Sequence, residues 1–284
     1  MLAYSLMKLM SRIACVQPTC FNDALAYALG QIGWLATPKW RRYMAKENVK
    51  ECLGVSETEA ERIAKESVTR FGRMLIEVLR YPLINQANFR NLVHFEGLEH
   101  LEEAYAEGRG VIMCTAHYGN WEMLGASMAL LGYPILSITR KQNDGDADRF
   151  INEYRQMVGQ HVTYNHGKSS MLSIGRYLKD KHLVGILYDQ DSAHTGEHLE
   201  LFGKPARVPD GAAQLARVFK APIVPLFMHN QPDGTLTAVI HPCFHADPQL
   251  SREENSHVIM EKLIRIAEEE IRRDPAMWFW VHDR

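Results

Sequence analysis

A chain of 284 residues has room for one large α/β domain or two small ones with an ample core, and its 32 Lys and Arg against 34 Asp and Glu leave a formal net charge of −2. That balance excludes the global positive field a nucleic-acid binder relies on. Five scattered cysteines (Cys15, Cys20, Cys52, Cys114, Cys243) without a CxxC pair exclude a disulfide scaffold and a cysteine zinc site, and fit free thiols in a reducing compartment.

Residues 1–36 are apolar-rich, but Lys8, Arg12, Gln17, Pro18, Asn22 and Asp23 interrupt them, so no run approaches the roughly 18 apolar residues of a membrane span. The charges sit inside the apolar segment rather than before it, which also argues against a cleaved signal peptide. On a helical wheel Ser5, Lys8 and Arg12 share one face, and Leu2, Leu6, Leu9, Ile13 and Val16 crowd the other. The first fifty residues hold seven basic residues (Lys8, Arg12, Lys39, Arg41, Arg42, Lys46, Lys50) against Asp23 and Glu47. The expectation is an amphipathic, basic N-terminal helical segment over residues 1–50 that associates with an anionic membrane surface. An ordinary helical cap is the plain alternative. Residues 51–284 read as a single α/β domain.

Ser56-Glu57-Thr58-Glu59 has the pattern of a capping box, and the stripe Ile63, Ala64, Val68, Phe71, Leu75, Val78, Leu79 predicts the helix that follows, ended by Pro82. A short helix is predicted over Leu98–Ala106, stopping at Gly108-Arg109-Gly110. Strands and helices then alternate. Strands are predicted at Val111–Ala116, Pro134–Thr139, His161–Tyr164, Leu183–Tyr188, Pro222–Met228, Thr235–Ile240 and Met277–Val281. Helices are predicted from Asn120 to about Leu131, and over Asp146–Val158, Ser170–Lys179, Asp210–Lys220 and Arg252–Arg273. This alternation implies an α/β fold with a mostly parallel central sheet flanked by helices, where ligands sit beyond the carboxyl ends of the strands.

Polar residues stand at those ends. His117 follows the first strand of the series, Arg140 the second, and Asp189 and Asp191 the fourth. On one continuous helix His117 and Glu122 would point about 140° apart. A turn at Gly119-Asn120, with Asn120 capping the next helix, lets Glu122 fold back onto the imidazole. A carboxylate on one ring nitrogen fixes the tautomer and leaves the other nitrogen as a base. No Ser, Cys or Thr nearby forms a nucleophile motif and GxSxG is absent, so the reactive hydroxyl belongs to a substrate and the electrophile is an activated acyl group or similar. Arg140 is placed to hold a phosphate or a developing oxyanion.

Plainer readings stand beside these: a lone strand-end histidine is usually structural, and a lone arginine is usually a surface residue. Asp189-Gln190-Asp191 reads either as a DxD metal site of a glycosyltransferase or as carboxylates orienting site residues. HxxxxE is a poor zinc spacing, and no metal and no cofactor are expected. The Gly- and Pro-rich segment Phe202–Ala216, with Gly203 near its start, leads into a helix and suits a pocket wall or an anion site. In Met277–Arg284, Trp278 and Trp280 share one strand face, either as core or as lining of an apolar channel.

His117-Tyr-Gly-Asn-Trp-Glu122 resembles the HxxxxD/E motif of glycerolipid acyltransferases, and more narrowly that of the lipid A biosynthesis acyltransferases, the lauroyl and myristoyl transferases. The likeness continues through Ser137-Ile138-Thr139-Arg140, Asp189-Gln190-Asp191, Leu201-Phe202-Gly203, Lys220-Ala221-Pro222-Ile223-Val224-Pro225 and the Trp-rich end with His282. Its N-terminus is more interrupted than the membrane helix of many members. The resemblance implies acyl transfer from an acyl carrier protein thioester, or acyl-CoA, to a hydroxyl of a lipid A precursor or related glycolipid, at the cytoplasmic face of the inner membrane. It implies His117 as base with Glu122 as its partner, and Asn120, Arg140, Asp189, Asp191 and Gly203 as substrate-side residues. Residues 39–50 would meet acidic carrier protein or anionic lipid. A metal-dependent glycosyltransferase and a non-catalytic lipid-binding protein are the competing functions.

Overall fold

A computed structural model describes residues 2–165, 168–190 and 196–282, with Lys168 described in its backbone alone. The described helices are α1 (Leu2–Val16), α2 (Thr19–Ala36), α3 (Lys39–Leu53), α4 (Glu57–Leu79), α5 (Leu98–Ala106), α6 (Trp121–Leu130), α7 (Gly145–Met157), α8 (Lys168–Lys179), α9 (Gly211–Phe219) and α10 (Arg252–Arg273). The strands are β1 (Val93–Glu96), β2 (Val111–Thr115), β3 (Ile135–Thr139), β4 (Gln160–Tyr164), β5 (Leu183–Leu187), β6 (Glu197–Leu201), β7 (Lys204–Val208), β8 (Ile223–Asn230) and β9 (Leu236–Ile240).

Seven strands form one sheet in the order β1-β9-β8-β2-β5-β3-β4. Every adjacent pair is parallel except β8 with β9. The mostly parallel sheet is as expected, and its reason is visible in β2, where all five residues of Val-Ile-Met-Cys-Thr are buried. Such a strand must be covered on both faces. One core packs α8, α9 and α10 against the sheet through Ile174, Leu215 and Leu263. The other packs α5, α6 and α7 through Leu101, Leu124 and Tyr154.

The strand order fixes the site. From β2 the chain passes through α6 to β3, on one side of β5, and from β5 it passes through α9 to β8, on the other side of β2. β2 and β5 are neighbours whose connections leave in opposite directions, which makes their carboxyl ends the switch point where ligands bind in such sheets. β2 also loses its other neighbour there. Its ladder with β8 ends at Cys114↔Pro225, and a proline has no N–H to continue it.

α4 crosses this edge: Phe71 stacks on Trp121 and Glu77 reaches Asn120. Ser56 caps α4 through the Glu59 N–H, but Glu59 turns its carboxylate to Arg62, so the expected box is half made. A reciprocal box does form at Ser251 and Glu254 on α10. Two further readings need correcting. Residues 277–281 form no strand; a 3-10 turn at Pro275–Met277 is followed by a single bridge, Tyr118↔Trp278. The strands of the β6–β7 hairpin were also missed from the sequence: Phe202–Ala216 leads into α9 as expected, but it starts with the hairpin tip, where Phe202 (φ 53) and Gly203 (φ 72) both take the left-handed conformation of a tight two-residue turn.

The N-terminal fifty residues are three helices. α1 lies on α7 and α4, with Lys8 bonded to Glu153 at 2.9 Å and Ser11 to the Leu79 carbonyl at 2.6 Å. Tyr4, Met7, Met10 and Ala14 pack on the core beside these two bonds, while Ser5 and Arg12 are exposed. The stripe Leu2, Leu6, Leu9, Ile13 and Val16 faces outward, from 42% exposed at Ile13 to 87% at Leu2. Phe21, Tyr27, Ile32 and Leu35 on α2 and Trp40 and Tyr43 on α3 are exposed as well. Among the described residues no helix is long and apolar enough to cross a membrane.

Candidate active site

The turn between β2 and α6 is held from three directions. Gly119 has φ 58, and a Cβ there would lie 1.7 Å from the Met228 carbonyl oxygen, so only glycine fits. The Gly119 N–H donates to the Met277 carbonyl at 2.9 Å, and the Phe279 N–H donates to the His117 carbonyl at 3.0 Å. Behind the turn, the buried Tyr118 hydroxyl donates to the Glu270 carbonyl at 3.0 Å. Burial works to raise the Glu270 carboxyl, but hydrogen bonds from His229 (2.7 Å) and His241 (3.0 Å) outweigh it and hold it at about 2.

His117 meets Asp189 across the switch point. Its Nδ1 lies 2.7 Å from Asp189 Oδ1, and its backbone N–H donates to Oδ2 at 3.0 Å. The Trp278 indole N–H also donates to Oδ2, at 2.8 Å. A carboxylate facing Nδ1 makes that nitrogen the protonated one. Nε2 is then a free base, and it has no hydrogen-bond partner among the described residues. The His117 side chain is 16% exposed, within an aromatic wall of Trp121 (5.1 Å between ring centres) and His282 (5.7 Å). Phe279 meets His282 edge to face and packs at a tilt on Phe71.

Glu122 does not make the expected contact with His117. It lies on the buried first turn of α6, where both its oxygens accept from Arg155 on α7, at 2.6 and 2.8 Å. The turn at Gly119-Asn120 does form, but it directs residue 122 into the core beneath the sheet edge rather than back over the ring. Burial opposes the Arg155 charge, and Glu122 outweighs it, holding the guanidinium above its usual value. Burial also raises the neighbouring Tyr81, whose hydroxyl has no partner among the described residues.

Asn120 is not open to a substrate. It is 1% exposed, its Oδ1 accepts from the Met123 N–H at 2.8 Å as the cap of α6, and its amide N–H donates to Glu77. Arg140 is exposed at the carboxyl end of β3, with no hydrogen bond or ion pair to a described residue. The order β2-β5-β3 sets it two strands from His117, roughly 10 Å away by strand spacing. Gly203 is at the exposed hairpin tip beside Phe202, whose ring centre is 6.2 Å from that of Trp278. Asp191 lies outside the described residues. Both Asp189 oxygens already accept N–H donors, so the DxD metal reading gains nothing from this arrangement. Trp278 lines a cavity of about 20 Å³ with Leu201, Val208 and Ile264, room for a water molecule rather than an acyl chain.

Two partners were not foreseen from the sequence. Arg155 occupies the stripe Ile151, Arg155, Val158 on the packed face of α7, and a basic residue on such a stripe signals a buried counter-charge. Glu77 likewise interrupts the packed face of α4, between Ile76 and Val78.

The family described as bacterial lipid A biosynthesis acyltransferase matches residues 10–284. The chain is 27% identical over 223 residues to the phosphatidylinositol mannoside acyltransferase of Mycobacterium tuberculosis, covering 70% of each protein. It is 26% identical over 260 residues to the lipid A biosynthesis palmitoleoyltransferase of Escherichia coli K12, covering 89% of this chain and 82% of the relative. To the lipid A biosynthesis acyltransferase of Haemophilus influenzae it is 25% identical over 242 residues, 82% and 74% of the two chains.

Proposed function

The chain belongs to the bacterial lipid A biosynthesis acyltransferase family, and from that premise we propose that it moves a fatty acyl group from an acyl carrier protein thioester to a hydroxyl of a lipid A precursor or related glycolipid. His117 Nε2 takes the proton of the acceptor hydroxyl as its oxygen attacks the thioester carbonyl. The tetrahedral intermediate then collapses, the C–S bond breaks, and the thiolate recovers the proton from the imidazolium. Asp189 orients the ring and stabilises the imidazolium between these steps. Glu122 acts through Arg155 and α7 rather than on His117, as a positioning residue beneath the turn. Arg140 offers a charge to a lipid phosphate or to the oxyanion.

The observation that carries this reading is the His117 Nδ1 to Asp189 Oδ1 contact of 2.7 Å at the switch point, which leaves Nε2 without a nucleophile to activate among the described residues. The glycolipid class of the acceptor draws support from the names of the relatives, which cover lipid A and phosphatidylinositol mannoside acylation. The outward apolar faces of α1 and α2 support work at a membrane surface, for which we take the cytoplasmic face of the inner membrane, where carrier protein and precursor meet.

The test is an assay by mass spectrometry. Purified protein is given carrier-protein and CoA thioesters of several chain lengths, with a lipid A precursor and a phosphatidylinositol mannoside as acceptors. An acylated glycolipid formed by the wild type and lost in His117→Ala is expected. Turnover by His117→Ala at the wild-type rate overturns the mechanism, and no acylated product from any donor and acceptor pair overturns the activity.

A further inference from the structure

Asn120 leaves little doubt about how its amide is oriented. The Met123 N–H can only donate, so the oxygen of Asn120 faces it at 2.8 Å. The amide NH2 must then point the other way, and there it meets Glu77 Oε2 at 2.5 Å. The other Glu77 oxygen accepts from Arg73 Nε at 3.0 Å. The Glu77 side chain is 15% exposed, and burial raises its carboxyl in spite of Arg73 and Asn120. A carboxylate kept in such a place has a structural cost that the hydrogen bond to Asn120 must justify.

We propose that Glu77 is a positioning residue for the acyl-transfer site: by fixing the Asn120 amide from α4, it sets the turn that carries His117 to Asp189. The inference rests on the acyltransferase reading and adds a residue from outside the HxxxxE segment. The chain of contacts is short. Glu77 holds Asn120, Asn120 caps α6, and α6 begins with Trp121 against His117. Without the carboxylate, the buried Asn120 NH2 loses its acceptor, and the turn gains alternatives that hydrate it and carry His117 away from Asp189. Phe71, six positions earlier on α4, stacks on Trp121 with ring centres 6.0 Å apart, so the same helix supports the turn at two points.

The charged and titratable groups facing Glu77 are Arg73 on its own helix, Asp23 on α2 and Tyr81 after α4. Asn120→Asp places a second carboxylate against Glu77, and the two then share a proton only as the pH falls.

The experiment compares Glu77→Ala, Asn120→Asp and the reciprocal swap Glu77→Gln with Asn120→Asp. The swap restores the contact with donor and acceptor exchanged, since the Gln amide donates to an Asp that also caps α6. Glu77→Ala is expected to lower kcat roughly 10²-fold, as a misplaced base does, while KM for the thioester stays within about twofold. Asn120→Asp should lose activity near neutral pH, with its rate relative to wild type rising as the pH is lowered. The swap should regain most of the kcat. Hydrogen exchange at the Met123 amide reads the turn without reference to turnover, and should be fast in Glu77→Ala and slow again in the swap. Wild-type kcat and Met123 protection in a folded Glu77→Ala overturn the proposal, as does a swap no better than Asn120→Asp. If the wild type transfers no acyl group, the activity reading fails, and the Met123 exchange alone then decides whether Glu77 sets the turn.

Discussion

Asp189 offers its two oxygens to different donors, and that asymmetry makes the exchange of one atom informative. Oδ2 accepts both the His117 backbone N–H and the Trp278 indole, while Oδ1 faces His117 Nδ1. In Asp189→Asn the amide oxygen stays with the two donors and the NH2 turns to Nδ1. His117 is then driven to the tautomer with its proton on Nε2, where it cannot act as a base. The expected loss in kcat is about 10⁴-fold with little change in melting temperature, measured by steady-state kinetics and thermal unfolding. A variant within tenfold of wild type would remove Asp189 from its orienting role. Glu122→Gln should fail differently, because it leaves Arg155 buried without its carboxylate; about 3–5 kcal/mol of stability is at risk by urea unfolding. The sequence displayed His117 clearly, as the first polar side chain after a buried strand. Asp189 also stands out there as a strand-end carboxylate that could orient site residues, but its pairing with His117, 72 residues away, follows only from the order β2-β5. Glu122, five positions along, is the nearer carboxylate in the chain, and in space it bonds to Arg155 instead.

Helices α2 and α4 cross with almost no side chain between them, and the crossing carries the N-terminal helices. A Cβ on Gly30 would lie 2.4 Å from the Thr69 Cα, and one on Gly72 would lie 3.0 Å from the Ala26 carbonyl oxygen. Gly30→Val must push the backbones apart, at a cost of about 1–3 kcal/mol in unfolding free energy. Proteolysis at the α1–α2 and α2–α3 joints should become faster, while unchanged stability and cleavage would show that the crossing yields. Periodicity and apolar runs read most α/β elements between Leu98 and Leu187 closely, since the central strands are continuous apolar runs and helices such as α7 show an apolar stripe. It failed where the pattern was weak. Pro18 and Pro38 stand at the starts of α2 and α3 and were the available signals for dividing the first fifty residues. The β6–β7 hairpin turns on Phe202 with positive φ, a conformation that the side chain does not announce. The alternation of Trp278, Phe279 and Trp280 is real, but the Phe279 N–H serves the His117 carbonyl instead of a strand ladder.

For the whole molecule, the apolar N-terminal helices are tied to the sheet edge that carries His117. α4 passes over the carboxyl edge of the sheet, α2 lies along α4, and α1 starts beside Asp146 at the head of α7, just after the carboxyl end of β3. α1 packs Tyr4, Met7, Met10 and Ala14 inward and still leaves five large aliphatic residues facing out, more than packing within the chain calls for. Leu9 and Ile13 are 53% and 42% exposed, so a double change to Asp should leave the melting temperature within a few degrees of wild type. The same variant should lose flotation with vesicles containing anionic lipid, since it places two charges in the buried face of an interfacial helix. Its transfer to an acceptor dispersed in detergent should persist, and its transfer to an acceptor held in vesicles should fall in step with binding. Flotation equal to wild type would mean that α1 is not the docking face. A parallel loss with the dispersed acceptor would mean instead that the substitutions reach the site through α7, and docking would have to be sought on α2 and α3, where Phe21, Tyr27, Ile32, Leu35, Trp40 and Tyr43 are exposed.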